Sequence, residues 1–242
     1  MLSRKELKEN AKQKLSGNWG EPIAVTAILG AITFGASFVF GLIVGILMIP
    51  LTVLMTGLII SGGEEGYLMS SIISAISEGV SNILSSGLSL LLVPLTIGFL
   101  TYFLAFAKND GSKNISNVFE GYKKSFGKSI LAAFLKGVYT FLWTLLFIVP
   151  GIIKTYAYSM TEYIIADDPS VSATEAIKRS QEMMDGHKWE LFELEISFIG
   201  WGILALFTCG IGFLWLTPYM QTAITDFYLQ LKEEYELKNQ AY

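Results

Sequence analysis

Three stretches of this chain carry no charged side chain: Pro22 to Gly63, Gly79 to Ala107 and Ile196 to Thr225. A bilayer core of roughly 30 Å takes about 20 helical residues to cross, so each stretch can span one. The pattern predicts membrane helices near 22–48, 86–107, 129–149, 151–166, 189–208 and 211–231, six spans in three hairpins. Between Lys128 and Asp167 there is room for two short helices joined at "VPGI". Pro150 removes a backbone donor there and Gly151 permits a tight reversal. The rival pattern is a single span from Gly137 to Ile153, flanked by Lys136 and Lys154.

Polar segments with helical period separate these runs. In "SATEAIKRSQEMMDGHKWELF", Ser172 and Glu175 have capping-box spacing, which satisfies two orphan amides. Ala173, Ala176, Ile177, Ser180, Met183 and Met184 share one face, and Gly186 stands where the helix would end. The chain's start repeats this: Ser3 and Glu6, then Gly17, then Trp19, matching the later Trp189. Ser and Gly are fourteen residues apart in both copies. A shorter version reads Asn117, Glu120 and Gly127. Pro94 is followed by Thr101 and Phe103, and Pro218 by Thr225 and Phe227, at identical offsets. Three repeats of surface helix, glycine and membrane hairpin are expected, inserted in the same sense. In the outer segment 50–85, the stripe from Met69 to Leu84 predicts a helix lying on the outer face, with Leu51–Ile60 packed beside it.

Composition agrees with a lipid environment. Hydrophobic residues make up 52% and charged residues only 16%, against about 25% charged in a soluble domain. Short cytoplasmic loops collect Lys and Arg. Six spans with an inner N-terminus put every basic residue but Lys154 on the inner side, Lys113 among them. A five-span chain would export Lys178, Arg179 and Lys188. The expectation is therefore an all-α, polytopic membrane helical bundle in the cell membrane, both termini cytoplasmic. It is read as one membrane domain, 1–242: a cytosolic amphipathic helix (1–21), a first hairpin (22–107), a second (108–171), and a surface helix with the third hairpin (172–242). The first apolar run is too long for a secretory h-region and reads as a retained anchor. A lone Cys209 gives no disulfide framework, and no basic patch with interleaved aromatics supports nucleic-acid binding.

Candidate chemistry is sparse. The chain has no HExxH, P-loop or nucleophile-elbow pattern and no paired cysteine ligands, so neither catalysis nor a cofactor is expected. Glu162 lies inside a predicted span, where an ionisable group is rare and often functional; Lys136 is a partner for it. His187 and Glu190, at i, i+3, are the nearest thing to a metal pair, but an interfacial histidine at a helix junction is the favoured reading and no metal site is expected. Small residues on the spans (Gly30, Ala31, Gly35, Ala36, Gly200, Gly202, Ala205) are expected to let helices approach closely. The leading expectation is a non-catalytic bundle. Its partners would be the lipid bilayer and another membrane protein or a second copy of the chain. The alternative is a small-solute or lipid transporter using Glu162 and Lys154 between the hairpins.

The stretches "LSGNWGEPI", "IVPGIIK", "ADDPSVSATEAIKRSQEMMDGHKWELF" and "SFIGWGIL" resemble a bacterial family of integral membrane proteins of unknown function, domain-of-unknown-function family 975, common in Gram-positive species. The resemblance covers nearly the whole chain, is dense from Ile148 to Tyr228, and does not include Pro50–Ser85. It implies a multi-pass fold, distantly similar to the membrane domain attached to some glycerophosphodiester phosphodiesterases. Their catalytic barrel is absent here, so no activity carries over.

Overall fold

The computed structural model describes residues 3–109 and 114–240, which leaves Lys113 of the expected inner charges outside the described residues. All regular structure among the described residues is helical: α1 (Arg4–Leu15), α2 (Gly20–Ser61), α3 (Gly63–Ala107), a 3₁₀ turn (Ile115–Phe119), α4 (Glu120–Lys124), α5 (Phe126–Leu146), α6 (Ile148–Ala157), α7 (Thr161–Asp167), α8 (Ala173–Met183), α9 (Lys188–Ile196), α10 (Ile199–Phe207) and α11 (Phe213–Gln240). Of these, α2, α3 and α5 are long and apolar enough to cross a membrane. The chain divides into two compact units, residues 30–92 and the remainder.

In the smaller unit, the outer segment is not a separate surface helix. Helices α2 and α3 are continuous over 42 and 45 residues, about twice what a bilayer core requires. Pro50 lies inside α2; it removes one ladder bond without ending the helix. The break comes at Gly62–Gly63, where Gly63 has φ +54°. A Cβ on Gly66 would stand 2.0 Å from the Leu58 carbonyl oxygen. Residues eight apart in one straight helix are about 12 Å apart, so the chain folds back here. The serines of this segment are satisfied within the helix: Ser70, Ser74 and Ser85 donate to the carbonyls of Tyr67, Ser71 and Ser81 at 2.8 Å each. That leaves them with little demand for water.

In the larger unit, the end of α3 runs through the core, with Leu95, Ile97, Tyr102 and Phe103 fully buried. Helix α1 buries Leu7, Ala11 and Leu15 and packs on α11 and α9. Its capping box is complete, Ser3 and Glu6 each satisfying the other's amide. At α8 only half of the box forms: Ser172 accepts from the Glu175 amide, but the Glu175 carboxylate accepts from Arg179 Nε at 2.9 Å instead. Gly17 and Gly186 both close their helices with left-handed φ, +78° and +86°. The middle copy differs. There the cap is Asn114 rather than Asn117, and Gly127 lies in the first turn of α5 and closes nothing. The two proline segments do share a device: Thr101 and Thr225, at equal offsets, each donate to the carbonyl four residues back.

The "VPGI" reversal is present, with Phe147 extended between α5 and α6. A Cβ on Gly151 would lie 2.2 Å from Thr144 Oγ1, so only glycine allows this approach. The expected fourth and fifth spans are each broken. Helix α6 ends at Ala157 and α7 begins at Thr161, while α9 stops at Ile196 and α10 starts at Ile199. Side chains from the polar helices fill both breaks. Ser180 of α8, fully buried, accepts from the Met160 amide (3.1 Å) and donates to the Ala157 carbonyl (2.9 Å). Lys8 of α1 donates to the Ser197 carbonyl at 3.2 Å and lies over the Phe198 ring. The apolar face of α8 is therefore buried against α5, α6 and α7. Ser180→Ala would orphan a buried amide, and a loss of about 1–3 kcal/mol is expected, read as a lower thermal midpoint in detergent. An unchanged midpoint would mean that the break is satisfied some other way.

Candidate functional site

The polar chemistry of the larger unit lies in ion pairs between elements distant in sequence. Asp167, at the end of α7, accepts from Lys108 and Lys232, each at 2.5 Å, and from the Tyr228 hydroxyl at 3.2 Å. The acid is 7% exposed and its lysines 41% and 37%, so the cations carry the water. Burial alone would raise the Asp167 carboxyl, but the hydrogen bonds and charges of both lysines outweigh it and hold the group below its ordinary value. Burial alone would lower the Lys232 ammonium, and Asp167 together with Glu236 outweighs that in turn. A second acid, Asp226 of α11, accepts from Lys14 at 2.5 Å, and the same ammonium donates to the Ala107 carbonyl that ends α3. Its other oxygen, Oδ2, is buried without a partner. These contacts fasten α1, α3, α7 and α11 to one another.

Of the residues singled out in the sequence, Glu162 does pair with Lys136. Lys154 is not brought to it: the ammonium donates to Gln181 Oε1 at 3.4 Å and lies over the Trp143 ring, 5.0 Å from its centre. His187 sits between two carboxylates, with Nδ1 3.2 Å from Glu190 and Nε2 3.3 Å from Glu234 of α11. It joins the α8–α9 corner to α11. No group of three or more His, Cys, Asp or Glu with metal-holding geometry occurs among the described residues. Sequence reasoning passed over Asp226, although an acid inside the predicted span 211–231 carries the same signal as Glu162. Asp167, at the edge of a predicted span beside Asp168, gave no such signal.

Of the small residues expected at close contacts, Ala205 is one, meeting Gly212, but the glycines named with it are not. A Cβ on Gly30, Gly35, Gly200 or Gly202 would meet nothing within 4 Å. Close approach occurs instead at Gly98, Gly121, Gly151 and Gly212. At the last, the turn into α11 meets the backbone of α10, and a Cβ would lie 2.8 Å from Ala205 Cα. Between these two helices runs a groove of about 410 Å³ with α1 at its rim. It follows one face of α10 from Trp201 to Thr208 and one face of α11 from Gly212 to Tyr219.

An all-α architecture, with long apolar helices compatible with membrane insertion and polar groups paired to one another, defines the class of protein. The family model described as "Protein of unknown function (DUF975)" matches residues 1–157 and 146–235, and the chain belongs to that family. No curated protein and no solved structure matches it.

Proposed function

We propose that the chain is a multi-pass protein of the cell membrane without an active site. In this reading, α1 and α8 form a cytoplasmic-side platform that meets lipid or a partner. What carries it is the segregation of side chains in the larger unit. Large apolar residues on α5, α6 and α10 stand outward, among them Leu145 at 74% and Phe207 at 83% exposure, far beyond what a protein surface in water tolerates as a patch. Most charged residues gather instead on α1, α4, α8, α9 and the end of α11, with Lys128, Lys136 and Lys154 the exceptions on α5 and α6. The pairing of Glu162, Asp167 and Asp226 with lysines favours a structural role for these acids over a catalytic one. Because Glu162 and Lys154 hold different partners, the transporter alternative has no converged site to support it.

The protein should stay with the membrane pellet through alkaline carbonate and leave it only in detergent; recovery in the aqueous supernatant would overturn the reading. In a Cys209→Ser background, Glu64→Cys should be labelled in intact cells and Lys178→Cys only after permeabilisation. Labelling of the latter in intact cells would reverse the assigned sides.

A further inference from the structure

The groove between α10 and α11 differs at its two ends. Where the helices join, it is shut: Gly212 brings the backbones together, and the Thr208 hydroxyl is fully engaged, donating to the Ala205 carbonyl and accepting from the Gly212 amide at 2.7 Å each. At the other end α1 crosses the mouth, since Lys14 of α1 holds Asp226, two turns beyond Tyr219 on α11. The rim there carries Lys12 and Trp19. Lys8 and Lys14 are bound to Ser197 and Asp226, whereas Lys12 is exposed and makes no ion pair among the described residues. Three of the chain's five tryptophans, Trp19, Trp201 and Trp215, line this one groove. Trp19 and Trp201 stand toward the open end, and indole rings favour the depth where acyl chains give way to headgroups; Trp215 lies within one turn of Gly212.

A trough that is closed and apolar at one end and open, aromatic and cationic at the other is complementary to an amphiphile with a negative head. Its volume of about 410 Å³ falls within the roughly 300–1,000 Å³ of small-molecule sites. The rise from Trp201 to Thr208 gives it about 10 Å of length, which holds part of one acyl chain. We propose that this groove binds one anionic glycerophospholipid, its phosphate against Lys12 and the upper part of one chain between Trp201 and Trp215. The proposal rests on the membrane reading above and names the lipid class that this reading leaves open.

The test uses the full chain in nanodiscs of phosphatidylcholine containing brominated phosphatidylglycerol or, at equal mole fraction, brominated phosphatidylcholine. Tryptophan quenching should show a preference of about fivefold for the anionic lipid, the effect of one lysine at an anionic surface. Lys12→Gln should abolish that preference, Lys5→Gln should keep it, and a Trp201→Phe, Trp215→Phe variant should lose the lipid-specific part of the quenching. Unchanged circular dichroism would show each variant folded. Equal quenching by the two lipids, or a preference that survives Lys12→Gln, overturns the site and leaves the membrane reading standing. Absence of quenching by either lipid overturns both.

Discussion

Gly98→Ala is expected to lower the thermal midpoint by about 10 °C, taking an overpacking cost of about 3 kcal/mol and about 2–4 °C per kcal/mol for a chain of this size. A Cβ at position 98 would stand 1.9 Å from the Val118 carbonyl oxygen and 2.4 Å from its carbon. The reciprocal holds at Gly121, whose Cβ would lie 1.9 Å from the Pro94 oxygen and 3.1 Å from the Gly98 nitrogen. These neighbours are backbone atoms on both sides, so no rotamer change relieves the clash. The 3₁₀ turn and α4 must move off α3, opening a core that contains Leu95, Ile97 and Val118. Because the two glycines face each other, changing both should cost less than the sum of the single changes. Gly30→Ala and Gly200→Ala meet open space and should be neutral or gain up to about 1 kcal/mol of helix propensity. Near-UV circular dichroism of the purified protein in detergent reads all four. If Gly98→Ala melts with the parent protein, the two backbones do not touch.

The contrast between Gly98 and Gly30 also marks what the sequence could reveal. Features fixed within one helical turn were legible: the Ser3 box, the left-handed Gly17 and Gly186, and the reversal after Leu146 all depend on adjacent residues. Which small residue meets another backbone depends on a partner far along the chain, and a run rich in glycine does not disclose it. The helices through 50–85 were misjudged for a related reason. The apolar stripe from Met69 to Leu84 resembles a surface helix, but the serines between its members bond to their own helix, and Pro50 costs one hydrogen bond where nothing else stops the helix. The breaks at Tyr158–Met160 and Ser197–Phe198 left no signal either, because the groups that satisfy them, Ser180 and Lys8, come from other helices. The Glu162–Lys136 pair was within reach since an acid in a predicted span demands a cation. The same demand, applied to Asp226, would have pointed toward a lysine such as Lys14.

Asp167→Asn should be the most damaging charge change, because it leaves Lys108 and Lys232 facing one site with no anion between them. Removing one partner of a buried pair costs about 3–5 kcal/mol. Both lysines here are more than a third exposed, so water takes up part of the loss, and about 2–3 kcal/mol is expected, a fall of roughly 5–10 °C. Asp167 is held below its ordinary 3.8, so its contribution is whole above that value and disappears as pH falls through the lower folded value. Lys232 is held above its ordinary 10.5; its contribution is whole below that value and is lost as pH rises through the higher folded one. The gap between the parent protein and Asp167→Asn should therefore be level from about pH 5 to pH 9 and narrow on either side. Adding Lys232→Met to Asp167→Asn should recover part of the stability, since it removes one of the two cations left facing the neutral amide. A double variant no more stable than Asp167→Asn alone would place the loss in the Tyr228 hydrogen bond and the packing at the end of α7 rather than in charge.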